Sequence, residues 1–562
     1  MDAKAQSTSA DPWRESPQWQ QACFRQQAET IGFWWQSPRA VAHQLGHSDS
    51  SLRYCLRQHR QRCQDSRWPR RVVDFLDSPD GIEFLHHLHV ALHLVFGQAN
   101  DCGLRALSWF LKLSGLDEFL PASYGALQAF AVHLETSLAE YGQQQEQQLA
   151  ADMPPREITL CEDETFHPQI CLVAIEPVSN YLLLEQYAAA RDANTWHQAI
   201  APRLASWSIT VMQVTSDEAA ALIAHAEQHL GAHHSPDLFH VQQETVKATG
   251  LALAGQTRRA YQAVTDAEQT TAELRAEQAA CQEQCPLTAH VAELQQQIEQ
   301  ALIAKAEAEQ QRTACQQRQQ QATEARQALS HDYHPIDLET GQPLEAEEVS
   351  RRLSGHFDRL DEIAKEAGLS ESARQRLAKA RRVLDPMIAT IVFFWRTVTQ
   401  RLASRGLPPD VSTWLREQLI PGVYLKMVAA KALTAAQREL LRARAEEVLE
   451  RARSPDGVWG RLSVAEQGTL DGLAQECASF FQRSSSCVEG RNGQLSLKHH
   501  ALHRLTPRKL VALGVLHNFM VQRPDGTTAA ERFFGQRPEP LYAWLVGRLP
   551  FPGRPWQKKH CG

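Results

Sequence analysis

The segment Ile209–Asp217, ITVMQVTSD, decides the fold class of this 562-residue chain. It is a short run rich in β-branched residues that ends in an acid, and a helical pattern follows at once, which is typical of a buried strand leading into a helix. Three more β-rich runs precede it: Ile158–Asp163, Gln169–Glu176 and Asn180–Ala188. With a fifth strand expected at Asp237–Val241, they predict a mixed α/β core with a five-stranded sheet and flanking helices.

The rest of the chain has helical patterns, so we expect a predominantly helical protein whose α/β core is interrupted by a large all-α insertion. Changes in composition and hydrophobic pattern divide the sequence into five regions: 1–71, a helix-turn-helix region; 72–152, a helical domain; 153–241, the first part of the core; 242–483, the helical insertion; and 484–562, the end of the core with a basic tail.

The insertion contains a stretch, about 256–329, in which apolar residues recur three and four apart among Gln, Glu and Ala. This spacing predicts a coiled-coil-like helical hairpin, and Pro286 is expected to mark its turn. Two interpretations stay open at the level of sequence. The hairpin either pairs two protomers or packs within one chain.

The composition excludes several classes of protein. Hydrophobic residues make up 43% of the chain and charged residues 22%, which suits buried cores rather than disorder. No stretch approaches the roughly 18 uninterrupted apolar residues of a membrane helix, and the N-terminal residues lack the layout of a signal peptide. The twelve cysteines are scattered and none forms a CxxC pair. We therefore expect a reduced, cytoplasmic protein with no membrane partner.

Charge is distributed unevenly along the chain. The net charge of −7 argues against a simple nucleic-acid coating protein, but residues 482–562 hold 13 Lys/Arg against 4 Asp/Glu. A second basic segment, 53–71, holds seven arginines and one acid. These two segments are either binding sites for a polyanion or solvated basic faces.

Two acids end neighbouring strands of the expected sheet. Asp163 ends the first strand and Asp217 ends the fourth, so both carboxylates are expected at one edge of the sheet. Carboxylates at such positions are suitable ligands for Mg²⁺, and phosphoryl transfer commonly uses two metal ions about 3.5–4 Å apart. Each acid also has a structural interpretation. Asp217 is placed to cap a helix, and Asp163 is flanked by Glu162 and Glu164, which alternation puts on the opposite face.

A third acid, Glu489, begins the basic helical pattern of residues 484–505. An acid there can hold a cation while Arg491, Asn492 and Lys498 contact DNA phosphates. The alternative is a first-turn Glu that the helix dipole favours.

The order Asp163, Asp217, Glu489 resembles that of the DDE transposase and retroviral-integrase superfamily. Asp237-Leu-Phe-His240 matches the D-x-x-H motif that several transposase families carry after the second acid. Families with this motif also insert a helical domain before the Glu, in keeping with the long separation here. The ending RPDGTTAAERFFG, 523–535, is similar to the end of such transposases.

The resemblance implies an RNase H-like catalytic core, which the order of strands also suits. It implies that Asp163, Asp217 and Glu489 are catalytic ligands of Mg²⁺ or Mn²⁺, with two ions, and that Asp237 and His240 support them. The implied activity is metal-dependent phosphodiester hydrolysis at element ends, followed by strand transfer into target DNA.

The implied partners are double-stranded DNA, both element ends and target, and further copies of the chain in a homodimer or higher oligomer. The implied location is the nucleoid in the cytoplasm of a prokaryote. Two other interpretations are a catalytically inactive, domesticated DNA-binding or regulatory protein that keeps the transposase architecture, and a coiled-coil scaffold with a structural α/β unit.

The segment Ser37–Arg60 is typical of a helix-turn-helix. Pro38 can open the first helix, Gly46 can form the turn, and Ser48 or Asp49 can cap the second helix. The side chains expected to face a major groove are Ser50, Ser51, Arg53, Tyr54 and Arg57. The arginines expected to hold phosphates are Arg60, Arg62, Arg67, Arg70 and Arg71. An ordinary helical hairpin is the alternative.

Overall fold

The computed structural model describes residues 11–31, 36–166, 168–284, 289–502 and 505–555. The chain is predominantly helical and contains one mixed five-stranded sheet. None of the helices described in these ranges is both long and apolar enough to cross a membrane. The cysteines described in these ranges all carry free thiols.

The sheet is formed by β1 (Arg156–Phe166), β2 (Ile170–Glu176), β3 (Tyr181–Ala188), β4 (Ile209–Ser216) and β5 (His233–Pro236), in the order β3-β2-β1-β4-β5. Strands β2 and β3 are antiparallel, with Ile170 opposite Ala188. Strands β4 and β5 are parallel, with Ser216 opposite Pro236. The first four strands predicted from the sequence are thus confirmed, but the predicted end of the first is wrong, because β1 continues past Asp163 to Phe166.

The fifth predicted strand is wrong. Asp237–Val241 does not form a strand, because a long helix begins at Leu238, and β5 lies just before it at His233–Pro236. The cause is local: the Asp237 carboxylate accepts a hydrogen bond from the backbone N–H of Phe239 (2.9 Å), which satisfies a donor that the first turn of a helix leaves unpaired.

Helices α1 to α8 all lie before β4. They are α1 (Pro17–Thr30), α2 (Pro38–Gln44), α3 (Asp49–Asp65), α4 (Arg70–Leu76), α5 (Pro79–Ala91), α6 (Leu104–Leu113), α7 (Tyr124–Ala151) and α8 (Ala193–Ser206).

The remaining helices follow β4. They are α9 (Ala220–Ala224), α10 (Leu238–Gln284), α11 (Ala289–Asp332), α12 (Ala346–Glu366), α13 (Glu371–Arg381), α14 (Leu384–Ser404), α15 (Pro409–Trp414), α16 (Ile420–Lys431), α17 (Ala435–Ala452), α18 (Val464–Ser479), α19 (Ser486–Leu502), α20 (Pro507–Phe519), α21 (Ala529–Phe534) and α22 (Leu541–Arg548). The described residues also include three short 3₁₀ helices and three π-helical segments: Pro12–Glu15, Leu92–Ala99, Leu116–Glu118, His225–His229, Leu415–Leu419 and Trp459–Arg461.

The chain forms two compact units. Unit 1 comprises Met1–Glu157, Glu162–Thr210 and Cys487–Gly562, and unit 2 comprises Ile158–Cys161 and Val211–Ser486. The division falls inside the predicted 153–241 core region, so β5 and most of β4 belong to the same unit as the helical insertion.

In unit 1, the C-terminal helices pack against β3. Asn518 of α20 accepts a hydrogen bond from the backbone N–H of Leu182 (2.9 Å) and donates one to its carbonyl (3.0 Å). The side chain thereby satisfies both backbone groups of a strand residue. The ring of Tyr181 stacks on that of Phe533 in α21, with centroids 4.4 Å apart. The motif RPDGTTAAERFFG thus has a structural role here, since it supplies this packing.

The helix-turn-helix prediction matches the local structure of unit 1. Helices α2 and α3 flank Gly46, whose φ of +70° is a conformation that glycine adopts without strain. The side chain of Ser48 caps α3 by accepting a hydrogen bond from the N–H of Ser51 (3.2 Å). Val41 of α2 and Leu52 of α3 are fully buried in a shared apolar cluster.

In unit 2, α10 and α11 form a helical hairpin that is longer than predicted. The Gln256 side chain donates to the carbonyl of Ala367 (2.7 Å), and Arg318 donates to the carbonyl of Glu366 (2.8 Å). These bonds hold both helices against the end of α12, as the interpretation of packing within one chain requires. The predicted turn residue, Pro286, lies outside the described residues.

Candidate active site

The strand ends of unit 2 bring two acids to one edge of the sheet. Because β4 and β5 are parallel and Ser216 lies opposite Pro236, the next residue of each strand, Asp217 and Asp237, leaves the sheet at the same edge. The N–H of Asp237 donates to the carbonyl of Ser216 (2.9 Å), which extends the ladder by one more bond. The sequence correctly predicts that Asp217 lies at the end of a strand, but it does not predict this position for Asp237.

Asp217 is held by its own backbone. Its Oδ1 accepts a hydrogen bond from the N–H of Ala219 (3.0 Å), which fixes the carboxylate at the turn into α9. Beside it, Ser216 Oγ lies 3.0 Å from His234 Nε2. Burial lowers the pKa of His234 to about 4, although the neighbouring Asp217 charge acts in the opposite direction. The histidine is therefore neutral at pH 7.

Asp237 and His240 form the observed D-x-x-H pair. Asp237 is 1% exposed, and its Oδ2 accepts a 2.5 Å hydrogen bond from Ser485 Oγ. Its Oδ2 also lies 3.8 Å from His240 Nε2. Since both residues lie at the start of α10, three residues apart on one helical face, the motif is a helix cap rather than a strand motif. Ser485, which precedes α19 directly, is a site residue that sequence reasoning missed.

In unit 1, Asp163 contacts α19. Its Oδ2 accepts a hydrogen bond from Asn492 Nδ2 (2.8 Å), and its Oδ1 accepts one from the N–H of Glu164 (2.8 Å). The Glu164 side chain points the other way, since its Oε1 accepts a hydrogen bond from Trp196 Nε1 of α8 (3.4 Å). The predicted alternation is thus confirmed, and the Asp163 face is the one that meets α19.

Glu489 lies in the first turn of α19 and is partly buried. It precedes Asn492 by three residues, so the two side chains share one face of the helix. In unit 1, therefore, the helix that holds Asp163 through Asn492 also carries Glu489.

The three residues of α19 that are expected to contact DNA all have hydrogen-bond partners inside unit 1. Arg491 is 4% exposed, and its guanidinium donates two 2.6 Å bonds to the Glu185 carboxylate on β3. Lys498 donates to Asp101 Oδ2 (2.5 Å), and Asn492 is occupied by Asp163. Arg491 is therefore held in a buried bidentate ion pair, and its contact with DNA phosphate stays a prediction. Lys498 and Asn492 act as packing contacts in this structure.

The side chains predicted to face a major groove are exposed on α3 or at its N-terminus: Ser50, Ser51, Arg53, Tyr54 and Arg57. Tyr54 is 52% exposed, and Arg53 pairs with Asp49 one turn earlier on the same helix (2.9 Å). The arginines predicted to hold phosphates differ in their surroundings. Arg62 donates to Asp77 (2.7 Å) and Arg67 to Glu118 (2.6 Å), so these two are structural, whereas Arg60 and Arg71 are exposed.

Comparison with known proteins gives one match. Residues 415–561 match the model of a family of unknown function (DUF6399). The match covers about a quarter of the chain, and it includes α19 with Glu489 and the RPDGTTAAERFFG ending. No curated protein matches the chain, and no solved structure does.

Proposed function

We propose that the chain is a DNA transposase with an RNase H-like catalytic core. It hydrolyses phosphodiesters at element ends, and the freed 3′-OH then attacks a phosphodiester of target DNA, which joins the element end to the target and releases a target 3′-OH. The observation that carries the proposal is the parallel β4–β5 pairing, which puts Asp217 and Asp237 side by side at the carboxyl ends of two strands. Acids at that edge of a sheet are typical of a site that handles phosphate through a cation.

The strand order supports the RNase H-like assignment. An antiparallel β2–β3 pair lies on one side of β1 and a parallel β4–β5 pair lies on the other. This order, β3-β2-β1-β4-β5, resembles that of the fold expected from the sequence. The large helical insertion between β5 and α19 resembles the insertions of transposases that carry D-x-x-H.

We assign Asp163, Asp217 and Glu489 as ligands of two Mg²⁺ or Mn²⁺ ions. Oxygen ligands fit these hard cations. Asp163 lies near the end of β1, Asp217 directly follows β4, and Glu489 lies in the first turn of α19. When bound, the ions supply activation of the attacking water and stabilisation of the leaving 3′ oxygen. Asp237 is buried, and each of its oxygens accepts a hydrogen bond, Oδ1 from Phe239 and Oδ2 from Ser485, so we assign it the role of positioning Ser485 and His240.

Exposed residues of α3 supply the DNA-binding part of the proposal. Arg53, Tyr54 and Arg57 lie on the solvent side of a helix whose opposite side is anchored by Leu52 and Cys55. This arrangement suits a helix that enters a major groove. A homo-oligomer on DNA, in the cytoplasm of a prokaryote, remains part of the same proposal, because transposition requires two element ends to be held together.

The direct test is a cleavage assay on supercoiled DNA that carries the sequences flanking the gene, with Mg²⁺ or Mn²⁺. We expect wild-type protein to nick or cut at the ends, and Asp163→Asn and Asp217→Asn to lose at least ~10²-fold in rate, the order expected when transition-state charge loses its stabilising group. Asp192→Asn is the matched control, because Asp192 caps α8 through Thr195 and Asn is an equally good cap. Cleavage that survives in Asp217→Asn would overturn the assignment.

A second test does not require the element ends. Fe²⁺ with ascorbate and peroxide cuts a polypeptide close to the bound ion, and mass spectrometry locates the cuts. We expect cuts near residues 163, 217 and 489, all reduced in Asp217→Asn and unchanged in Asp192→Asn. Specific DNA binding with no metal-dependent cuts at these positions is the result that would identify an inactive, regulatory relative instead.

A further inference from the structure

A second group of metal-binding side chains lies in unit 1, outside the proposed active site. His59 and Cys63 stand one turn apart on α3, and Asp74 stands on α4. The ligand atoms of these three side chains lie within 4.8 Å of one another. They offer a nitrogen, a sulfur and an oxygen.

The distances between the ligand atoms fit a tetrahedral ion. Cys63 Sγ lies 3.6 Å from His59 Nε2 and 3.8 Å from Asp74 Oδ1, and these two atoms are 2.8 Å apart. Zinc bonds of about 2.0–2.3 Å in tetrahedral geometry put the ligand atoms about 3.3–3.6 Å from one another. The two sulfur distances therefore already match to within a few tenths of an ångström. Only the nitrogen and oxygen must separate slightly to admit an ion.

The imidazole of His59 is oriented by a buried carboxylate. Its Nδ1 lies 2.8 Å from Asp77 Oδ2, and the Asp77 side chain is 1% exposed. Asp77 also accepts hydrogen bonds from Arg62 Nε (2.7 Å) and from Arg554. A histidine that donates Nδ1–H to a carboxylate presents the lone pair of Nε2, and zinc-bound histidines are usually held in this way.

The charges around the cluster are arranged in two groups. Arg62 and Arg554 both bind Asp77, so they neutralise that carboxylate on the far side of the imidazole. Asp74 is 45% exposed, and its nearest cation, Arg70, is 3.7 Å away. Burial, followed by the Asp74 charge, raises the pKa of the Cys63 thiol. A divalent cation would offset this charge and bind the thiolate.

We propose that His59, Cys63 and Asp74 bind one Zn²⁺ ion, with water at the fourth position, and that the ion fixes α3 against α4. The N, S, O ligand set selects Zn²⁺ over Mg²⁺, because thiolate is a soft ligand that hard cations avoid. Three protein ligands leave one position open, and the exposure of Asp74 gives a path of entry from solvent. This proposal does not depend on the transposase assignment.

The test uses full-length protein freed of metal with a chelator. Titration with ZnCl₂ by calorimetry, and with CoCl₂ by near-ultraviolet absorbance, measures stoichiometry and the thiolate-to-cobalt band. We expect the band in wild-type protein, its loss in Cys63→Ser, and at least a tenfold weaker affinity in Asp74→Asn. Cys281→Ser, which alters a partly exposed thiol on α10, is the matched control and should keep the band.

The thiolate band separates this site from the carboxylates of the proposed active site, which contain no sulfur. Thermal unfolding with and without Zn²⁺ gives a second measurement: zinc should raise the midpoint in wild type but not in Cys63→Ser. Absence of the band in wild-type protein that is folded by circular dichroism would overturn the proposal. The proposal would also be overturned if Cys63→Ser bound the same number of zinc ions as wild type. That result is expected if His59 is an imidazolium that only bridges Asp74 and Asp77.

Discussion

Acid should destabilise unit 1 through histidines that are buried without hydrogen bonds. His89 and His93 are 0% and 1% exposed, and their rings flank Phe130 with centroids 4.3 and 4.7 Å from it. Neither ring nitrogen of His93 has a hydrogen-bond partner among the described residues. Burial lowers the pKa of His93 to about 4. The perturbation that isolates this effect is His93→Leu, which keeps an apolar side chain of similar size and removes the titrating group.

The magnitude follows from proton linkage. An unfolded histidine titrates near 6.5 and the folded His93 near 4, so between these pH values the unfolded chain binds a proton that the folded chain excludes. The stabilising contribution of the neutral ring is complete above about pH 6.5 and declines as the pH falls towards 4. Between pH 8 and pH 5, about 1.5 pH units lie in this window, which at 1.36 kcal/mol per unit gives a loss of about 2 kcal/mol.

Urea unfolding of wild type and His93→Leu at pH 8 and pH 5 measures the effect. At pH 8 we expect the variant to differ by less than ~2 kcal/mol, because removing two unsatisfied buried nitrogens offsets the lost ring contact with Phe130. At pH 5 the variant should gain a further ~2 kcal/mol over wild type. His133→Leu, an exposed histidine on α7, should show no such gain. Parallel pH dependences of wild type and His93→Leu would refute the reasoning.

Three further predictions concern charged and polar contacts. Arg491→Ala should destabilise unit 1 by about 3–5 kcal/mol, because it leaves a buried carboxylate without its partner, and thermal unfolding would detect this; a change under ~1 kcal/mol would contradict it. Asn492→Ala should raise the Mg²⁺ concentration for half-maximal DNA cleavage by about 10–100-fold, because losing a group that orients a metal ligand such as Asp163 lowers metal affinity by about that factor. An unchanged Mg²⁺ dependence would refute this role of Asn492. Arg57→Ala should weaken DNA binding and lower the slope of log K against log salt concentration by about one, without changing the free energy of unfolding. Arg67→Ala should instead lower the free energy of unfolding. Equal DNA binding by wild type and Arg57→Ala in a fluorescence titration would count against α3 as the DNA-reading helix.

The sheet could be predicted from sequence where local pattern and tertiary position agree. Strands β1 to β4 are runs rich in apolar, β-branched or aromatic residues, and their local pattern and their burial favour the same conformation. Strand β5 was missed because His233-His-Ser-Pro236 has no β propensity. It is a strand only because β4 offers it a parallel edge. The sequence predicts a strand at Val241 because its pattern does not show that α10 begins as early as Leu238, directly after the capping residue Asp237.

The sequence did not reveal the contacts of several predicted site residues, because their partners are distant in the chain. Arg491 looked available because its own segment is basic, but Glu185, its partner, lies 306 residues earlier in the chain. Likewise, nothing in the local pattern identifies Ser485 as the donor to Asp237, 248 residues away. Charge counts along a sequence therefore predict where basic residues are concentrated, but the fold decides which of them remain exposed.

Each acid of the proposed site has a structural interpretation and a catalytic one, and the two do not exclude each other. Asp163, Asp217 and Asp237 all accept a hydrogen bond at Oδ1 from a backbone N–H one or two residues later in the chain. Such a bond fixes the position of a carboxylate, while a carboxylate has more acceptor positions than one bond uses. What distinguishes the three is the second oxygen. The second oxygen of Asp237 is buried and accepts a hydrogen bond from Ser485, which suits Asp237 to a positioning role. The second oxygen of Asp163 accepts a hydrogen bond from the amide of Asn492, on the helix that carries Glu489. A backbone bond that holds a carboxylate in place is compatible with cation binding by that carboxylate, so the structural interpretation of these acids does not exclude the catalytic role that we propose.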